Sequence, residues 1–295
     1  MQAPRGGARS EAKPSGVNQE DDPADERKQP GELPVYIEAP GPARYPSLMF
    51  RPSGARDRLA VALDVADLAA ARALVARLGG VPGWLKVGGE LFTAEGPAAL
   101  EVAGEAARVF LDTKLHDIPH TVARAVAAAV RRGVAMLTLH AAGGRAMLRA
   151  ARESAAEAAA AAGAERPLLV AVTVLTSLGA ADLAEVGVSA APSDQVLRLA
   201  ELALACGLDG IVASPREAAR VRERLGRDLL LVTPGVRPRG WPADDQTRTA
   251  TAGEALAAGA DVLVVGRPVL CAPDPARAAR DLVAEIEAGL GASAA

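Results

Sequence analysis

A single (β/α)₈ barrel, of the α/β class, is the fold this sequence predicts, on three observations. Between residues 58 and 290, short apolar runs alternate with alanine-rich stretches of helical character, eight times over. The apolar runs are nearly continuous Val and Leu, the pattern of parallel strands buried on both faces. No glycine-rich dinucleotide fingerprint follows the first run, which removes the main support for an open, doubly wound sheet. Eight βα units in roughly 230 residues match the closed barrel instead.

The strands are expected at 59–64, 84–88, 109–114, 136–141, 168–175, 210–214, 229–236 and 262–266. Helices are expected at 67–79, 94–107, 120–132, 144–163, 194–206, 215–226, 252–259 and 275–290. Asp64 closes the first strand with Asp67 just beyond it, a place for either a helix cap or a ligand contact. The alanine-rich stretch 150–164 reads as a plain outer helix of high intrinsic propensity. Residues 1–52 stand apart. They are rich in Pro, Gly, Arg and acids, have no periodicity, and so are expected to be disordered, because they cannot bury enough apolar surface to offset the entropy of ordering. Met49, ten residues before the first strand, is an alternative start of translation.

Composition narrows the function. A net charge of −3 gives no electrostatic case for nucleic acid or an anionic membrane surface, and 2% aromatics are too few for base-stacking platforms. No apolar stretch approaches the ~20 residues needed to span a bilayer, and no signal-peptide core is present. Cys206 and Cys271 fit neither a disulfide framework nor a zinc spacing, so a reduced, cytoplasmic compartment is expected.

Lysine is the informative residue. The chain holds four lysines against 29 arginines, and beyond residue 28 the only lysines are Lys86 and Lys114. A composition pressed so far toward arginine retains lysine where a guanidinium cannot substitute, because an ammonium can release a proton. Lys114 lies in the run Asp112-Thr113-Lys114-Leu115-His116-Asp117, and Lys86 lies on the preceding strand. A period of two places Asp112 and Lys114 on one strand face, at the carboxyl end where barrel active sites form. A purely structural ion-pair network is the competing reading of this D-x-K-x-x-D pattern, and the second lysine on the neighbouring strand weighs against it.

Other polar residues fall at the same end. Thr176 and Ser177 end the fifth expected strand, Arg237 follows the seventh, and Gly266 and Arg267 follow the eighth. Loops after strands 7 and 8 of such barrels frequently bind phosphate, and arginine adds a charge-assisted clamp. The three histidines, His116, His120 and His140, have no partner at metal-ligand spacing and read as packing or hydrogen-bonded residues.

The stretch 58–290 resembles the orotidine 5′-phosphate decarboxylase family. The resemblance is carried by Ala62-Leu63-Asp64, Lys86-Val87-Gly88, Phe110-Leu111-Asp112-Thr113-Lys114-Leu115-His116-Asp117-Ile118-Pro119, Val172-Thr173-Val174-Leu175-Thr176-Ser177, Pro234-Gly235-Val236-Arg237-Pro238, Asp245-Gln246 and Gly266-Arg267-Pro268. It implies a barrel enzyme that forms UMP in pyrimidine synthesis with no cofactor and no metal. Lys86, Asp112, Lys114 and Asp117 would form an alternating charge array, with Lys114 as proton donor to C6. Asp117 would serve the neighbouring subunit, which implies a homodimer with a shared active site. Asp64, Lys86, Thr121, Thr176, Ser177, Arg237, Gln246, Gly266 and Arg267 would bind the substrate. Thr113 and His120 depart from the family wording, where an apolar residue and Asn are usual. Two alternatives are a metal-dependent sugar-phosphate decarboxylase or synthase on the same scaffold, and a catalytically inactive nucleotide-binding barrel.

Overall fold

Eight parallel strands pair in sequence order, and the first pairs with the last, so the sheet has no edge. The structure is a computed structural model describing residues 50–238, 241 and 249–294. In chain order the elements are β1 (Leu59–Ala62), α1 (Leu68–Leu78), β2 (Trp84–Gly88), α2 (Gly89–Glu95), α3 (Ala98–Gly104) and β3 (Arg108–Leu115). There follow α4 (Pro119–Arg131), β4 (Met136–His140), α5 (Gly144–Ala162), β5 (Leu168–Val172), α6 (Ala180–Glu185), α7 (Pro192–Ala205) and β6 (Gly210–Val212). The last are α8 (Pro215–Leu225), β7 (Leu230–Thr233), α9 (Ala252–Ala257), β8 (Val262–Val265), α10 (Arg267–Leu270) and α11 (Pro275–Ala294).

Strand alternation divides the apolar residues into two cores. Ala60, Trp84, Phe110, Met136, Val170, Leu230, Val232 and Val262 fill the barrel interior. Val61, Leu85, Val87, Leu111, Leu137, Leu169, Ile211 and Leu263 point outward and pack against the helices. The barrel interior below the mouth is thus a packed plug of side chains. Gly210 permits one close approach: a Cβ there would lie 2.1 Å from the Leu230 carbonyl oxygen on β7.

The helices start and stop where local chemistry dictates. Asp67 caps α1 by accepting a 2.8 Å hydrogen bond from the Ala70 N–H, a contribution of about 1 kcal/mol. Proline occupies the first turn of α4, α7 and α8, where its missing N–H has no helical partner to lose. Thr251 and Glu254 form a capping box at the start of α9.

Four sequence expectations need correction. The expected helix 94–107 is two, α2 and α3, broken at Gly96 (φ 57°) and Pro97, and α2 begins directly after β2. Strand β5 ends at Val172 and β7 at Thr233, earlier than expected, so Val174, Leu175 and Thr176 leave the ladder for the mouth. Pro234, which has no N–H to give a ladder, stops β7. The short helices α6 and α10 were not expected. Phe50, inside the segment expected to be disordered, packs edge-on against Trp84 with ring centroids 5.3 Å apart. The Arg108 guanidinium lies over both rings, at 4.6 and 4.1 Å, and closes the barrel floor.

Candidate active site

The mouth opens into a cavity of about 500 Å³. Its polar lining comes from Asp64, Lys86, Asp112, Lys114, Thr176, Arg237 and Arg267, and its apolar lining includes Phe110, Val172, Val174, Leu175, Val212 and Val232. That volume and mixture suit a small organic ligand with a few fixed polar groups.

The register of β2 and β3 assembles the charged wall. Lys86 pairs with Phe110 and Gly88 with Asp112, so Lys86 sits on the same inward face as Asp112, two pairs deeper in the ladder. Lys86 Nζ lies 3.2 Å from Asp64 Oδ1 and 3.5 Å from Asp112 Oδ2. Lys114 Nζ lies 3.0 Å from Asp112 Oδ1. One carboxylate therefore bridges two ammoniums, an oxygen to each. Lys86 is the buried one, its side chain 10% exposed, while that of Lys114 is 40% exposed toward the cavity. Gly88 leaves the space for this: a Cβ there would meet Lys86 Nζ at 2.9 Å and Asp64 Oδ1 at 3.1 Å.

Burial pushes the Asp112 carboxyl up, but Lys86, Lys114 and hydrogen bonds from Lys114 and Thr138 together outweigh it and hold the group below its ordinary range. Asp112 is therefore ionised wherever the protein is folded near neutral pH, and both lysines keep a counter-charge.

Lys114 has an unusual backbone. Its φ is 49°, and among the described residues it alone of the non-glycine residues has a positive φ. The β3–β4 pairing explains the position: β3 advances from Leu111 to Leu115 while β4 advances only from Leu137 to Leu139. The surplus residues bulge, re-aiming the Lys114 side chain at the cavity. Left-handed backbone at a non-glycine residue costs of order 1–3 kcal/mol and persists only where its surroundings over-determine it.

Most of the other expected residues also converge. Arg237 is 8% exposed and donates to the Val236 carbonyl at 3.0 Å, and with Gly235, Gly266 and Arg267 it lines the cavity. In the closed ring of eight, β7 stands opposite β3, so Arg237 faces the lysines across the mouth. Gly266 is the N-cap of α10, and a short extra helix after the eighth strand is a recurrent phosphate-site element of these barrels. Val236 and Ala250 form an isolated bridge at the base of the loop between β7 and α9. Gln246 lies outside the described residues.

Three expected residues stand off the cavity wall of this chain. Asp117 is exposed and accepts from the Ile118 N–H at 2.6 Å, while Thr121 on α4 and Ser177 after β5 are also exposed. His120 is exposed; Thr113 has a buried hydroxyl and is not part of the lining. His116 and His140 stack, with ring centroids 5.1 Å apart. Burial first, then His116 and Lys114, lower the His140 pKa, and its Nδ1 accepts from the Ala142 N–H at 3.3 Å, as a neutral ring does. Among the described residues, no group of three or more His, Cys, Asp or Glu is placed to hold a metal ion. Two residues at the array had escaped the sequence reading, Thr138 and the spacing role of Gly88. The signal for Thr138 was present, since it is the polar residue between Met136 and His140 on the inward face of β4.

A closed barrel with a lysine–carboxylate wall facing arginines across one cavity defines a class, that of barrel enzymes acting on small anionic substrates. The profile of the "Orotidine 5'-phosphate decarboxylase / HUMPS family" matches residues 57–282. An orotidine 5′-phosphate decarboxylase of Moorella thermoacetica is 54% identical over 235 residues, 79% of this chain and 93% of that protein. One from Halorhodospira halophila is 55% identical over 232 residues, covering 78% of this chain and 96% of that protein. The crystal structure of orotidine 5′-phosphate decarboxylase from Lactobacillus acidophilus superposes with a TM-score of 0.70 at 34% identity, over 78% of this chain and 99% of that one. The chain belongs to the orotidine 5′-phosphate decarboxylase / HUMPS family.

Proposed function

We propose that this chain decarboxylates orotidine 5′-phosphate to UMP in pyrimidine synthesis, without a cofactor, as a cytoplasmic homodimer. The observation that carries the reading is the single Asp112 carboxylate shared by Lys86 and Lys114 on the wall of a cavity that also holds Arg237 and Arg267. Relatives at about half identity bear that enzyme's name.

In this reading Arg237, Arg267 and the backbone around Gly266 hold the phosphate, and the base lies among the apolar side chains with C6 toward Lys114. Breaking the bond from C6 to the carboxylate releases CO₂ and leaves the electron pair on C6. No cofactor orbital takes that pair, so fixed charge must stabilise it, and the Lys114 ammonium is the nearest cation. Lys114 then transfers a proton from Nζ to C6 and regains one from solvent. Asp112 holds Lys114 in place, and Lys86 balances the Asp112 charge from beneath. Phosphate contacts far from C6 contribute binding energy that orients the ring. Asp117 and Ile118, both exposed with Ile118 at 65%, form the segment that would reach a second subunit and complete its array.

The test is the loss of orotidine 5′-phosphate absorbance, followed with and without EDTA. Turnover unchanged by the chelator is the expected result. Turnover abolished by EDTA would favour a metal-dependent relative on the same scaffold, and UMP binding without turnover would favour an inactive nucleotide-binding barrel.

A further inference from the structure

We infer that Thr138 is a positioning residue for the lysine–carboxylate array: its hydroxyl ties the Lys114 backbone to the Asp112 carboxylate and so sets where the Lys114 ammonium stands. The role in turnover rests on the decarboxylation proposed above; the structural tie does not.

Thr138 lies in β4 with its side chain facing the barrel interior, 0% exposed, and it does not line the cavity. Its Oγ1 has two partners. The Lys114 N–H donates to it at 2.9 Å, and it donates to Asp112 Oδ1 at 3.0 Å. A hydroxyl has one proton to give, and an ionised carboxylate can only accept, so the direction of both bonds is settled. Asp112 Oδ1 receives Lys114 Nζ as well, also at 3.0 Å. The main chain and the ammonium of Lys114 thus reach the same carboxylate oxygen, one through Thr138 and one directly.

That closed circuit addresses the backbone strain. In the β3 bulge the Lys114 N–H has lost its strand partner, and a buried N–H left unmatched is costly. The Thr138 hydroxyl supplies the acceptor at the one place where the ladder cannot. Valine has nearly the same shape and offers no acceptor, so φ 49° at Lys114 would lose its main local support. Hydrogen bonding from Thr138 also lowers the Asp112 pKa.

The experiment compares Thr138→Val with Thr138→Ser by kinetics and crystallography. In Thr138→Val, kcat is expected to fall about ten- to a hundredfold, the scale of one lost hydrogen bond to a charged group. KM should change less than about threefold, because the lost bond acts on the reacting end and not on the phosphate. Removing the bond raises the Asp112 pKa, so the acid limb of kcat/KM should move to higher pH. Serine should restore kcat to within about threefold of the parent. The Thr138→Val crystal structure should show Lys114 leaving the left-handed region. Parental kcat in Thr138→Val, equal impairment of the serine variant, or a Lys114 backbone unchanged in the valine crystal would each overturn the inference. If the parent chain itself shows no turnover, the proposed reaction has failed, and the crystal comparison still decides the role of Thr138. Should the valine variant not fold, Thr138→Ala replaces it in both arms.

Discussion

At the amino end of the barrel the ion pairs use arginine, and at the carboxyl end the carboxylate array uses lysine. Arg166, ahead of β5, grips Asp209, ahead of β6, through two parallel bonds of 2.8 and 2.6 Å, with both side chains 8% exposed. Asp209 also accepts from the Leu169 N–H at 2.8 Å. Asp261, ahead of β8, repeats the design with Arg222 and the Leu231 N–H. These pairs staple neighbouring strands where each strand begins. The fork of a guanidinium suits that task, being rigid, bidentate and permanently charged. At the mouth, each lysine offers Asp112 a single-point contact, and Lys114 does so from a more exposed and strained position. Under the proposed reaction the contrast has a reason at Lys114: the ion pairs that only hold strands together use arginine, and the cation that would give up a proton is a lysine.

The largest way to break that contrast is to exchange the cation. Lys114→Arg keeps a positive charge beside Asp112 but removes a transferable proton, so kcat should drop at least about a thousandfold, within the ~10²–10⁴-fold of one general acid and with the electrostatic fit lost as well. Thermal unfolding near the parental temperature would show the fold intact; an arginine variant with more than a few per cent of parental turnover would sink the role given to Lys114. At the other end the effect should reverse. Arg166→Ala leaves Asp209 buried without its cation and should cost about 3–5 kcal/mol in denaturant unfolding, with kcat within about twofold of the parent. A stable but inactive Arg166→Ala would erase the distinction between the two ends. The smallest effect is spatial. Gly88→Ala puts a methyl 2.9 Å from Lys86 Nζ, a flexible group that can yield. Stability should hardly change, while kcat/KM should fall about tenfold as the array shifts; unaltered kinetics would show that Lys86 need not stand where it does.

Much of this was legible in the sequence, for reasons that differ by element. The eight strands were readable because burial on both faces forces continuous Val and Leu runs, and Lys86, Asp112 and Lys114 because they are charges at the ends of such runs. α10 was not expected, since four residues cannot show a helical period, although a proline in the first turn after Gly266 fits a helix start. Thr138 escaped because its importance is non-local: only the bulge in β3 brings the Lys114 N–H to a side chain on β4. Asp117 is singled out by the D-x-K-x-x-D spacing and by the family resemblance, and within one chain it lies off the wall.

The sharing of Asp112 by two lysines has a further consequence for traffic through the cavity. Lys86 and Lys114 are matched in number by Asp64 and Asp112, so the reacting wall is close to electrically neutral, and Arg237 and Arg267 leave the described lining with two more cations than anions. A nucleotide monophosphate brings about −2 at neutral pH, which that surplus meets. A carboxylate on its base would add a third negative charge at a wall that has none to spare. Once that group departs as CO₂, the remaining nucleotide matches the described lining of one chain in charge. The described lining of one chain thus matches the proposed product in charge better than the proposed substrate.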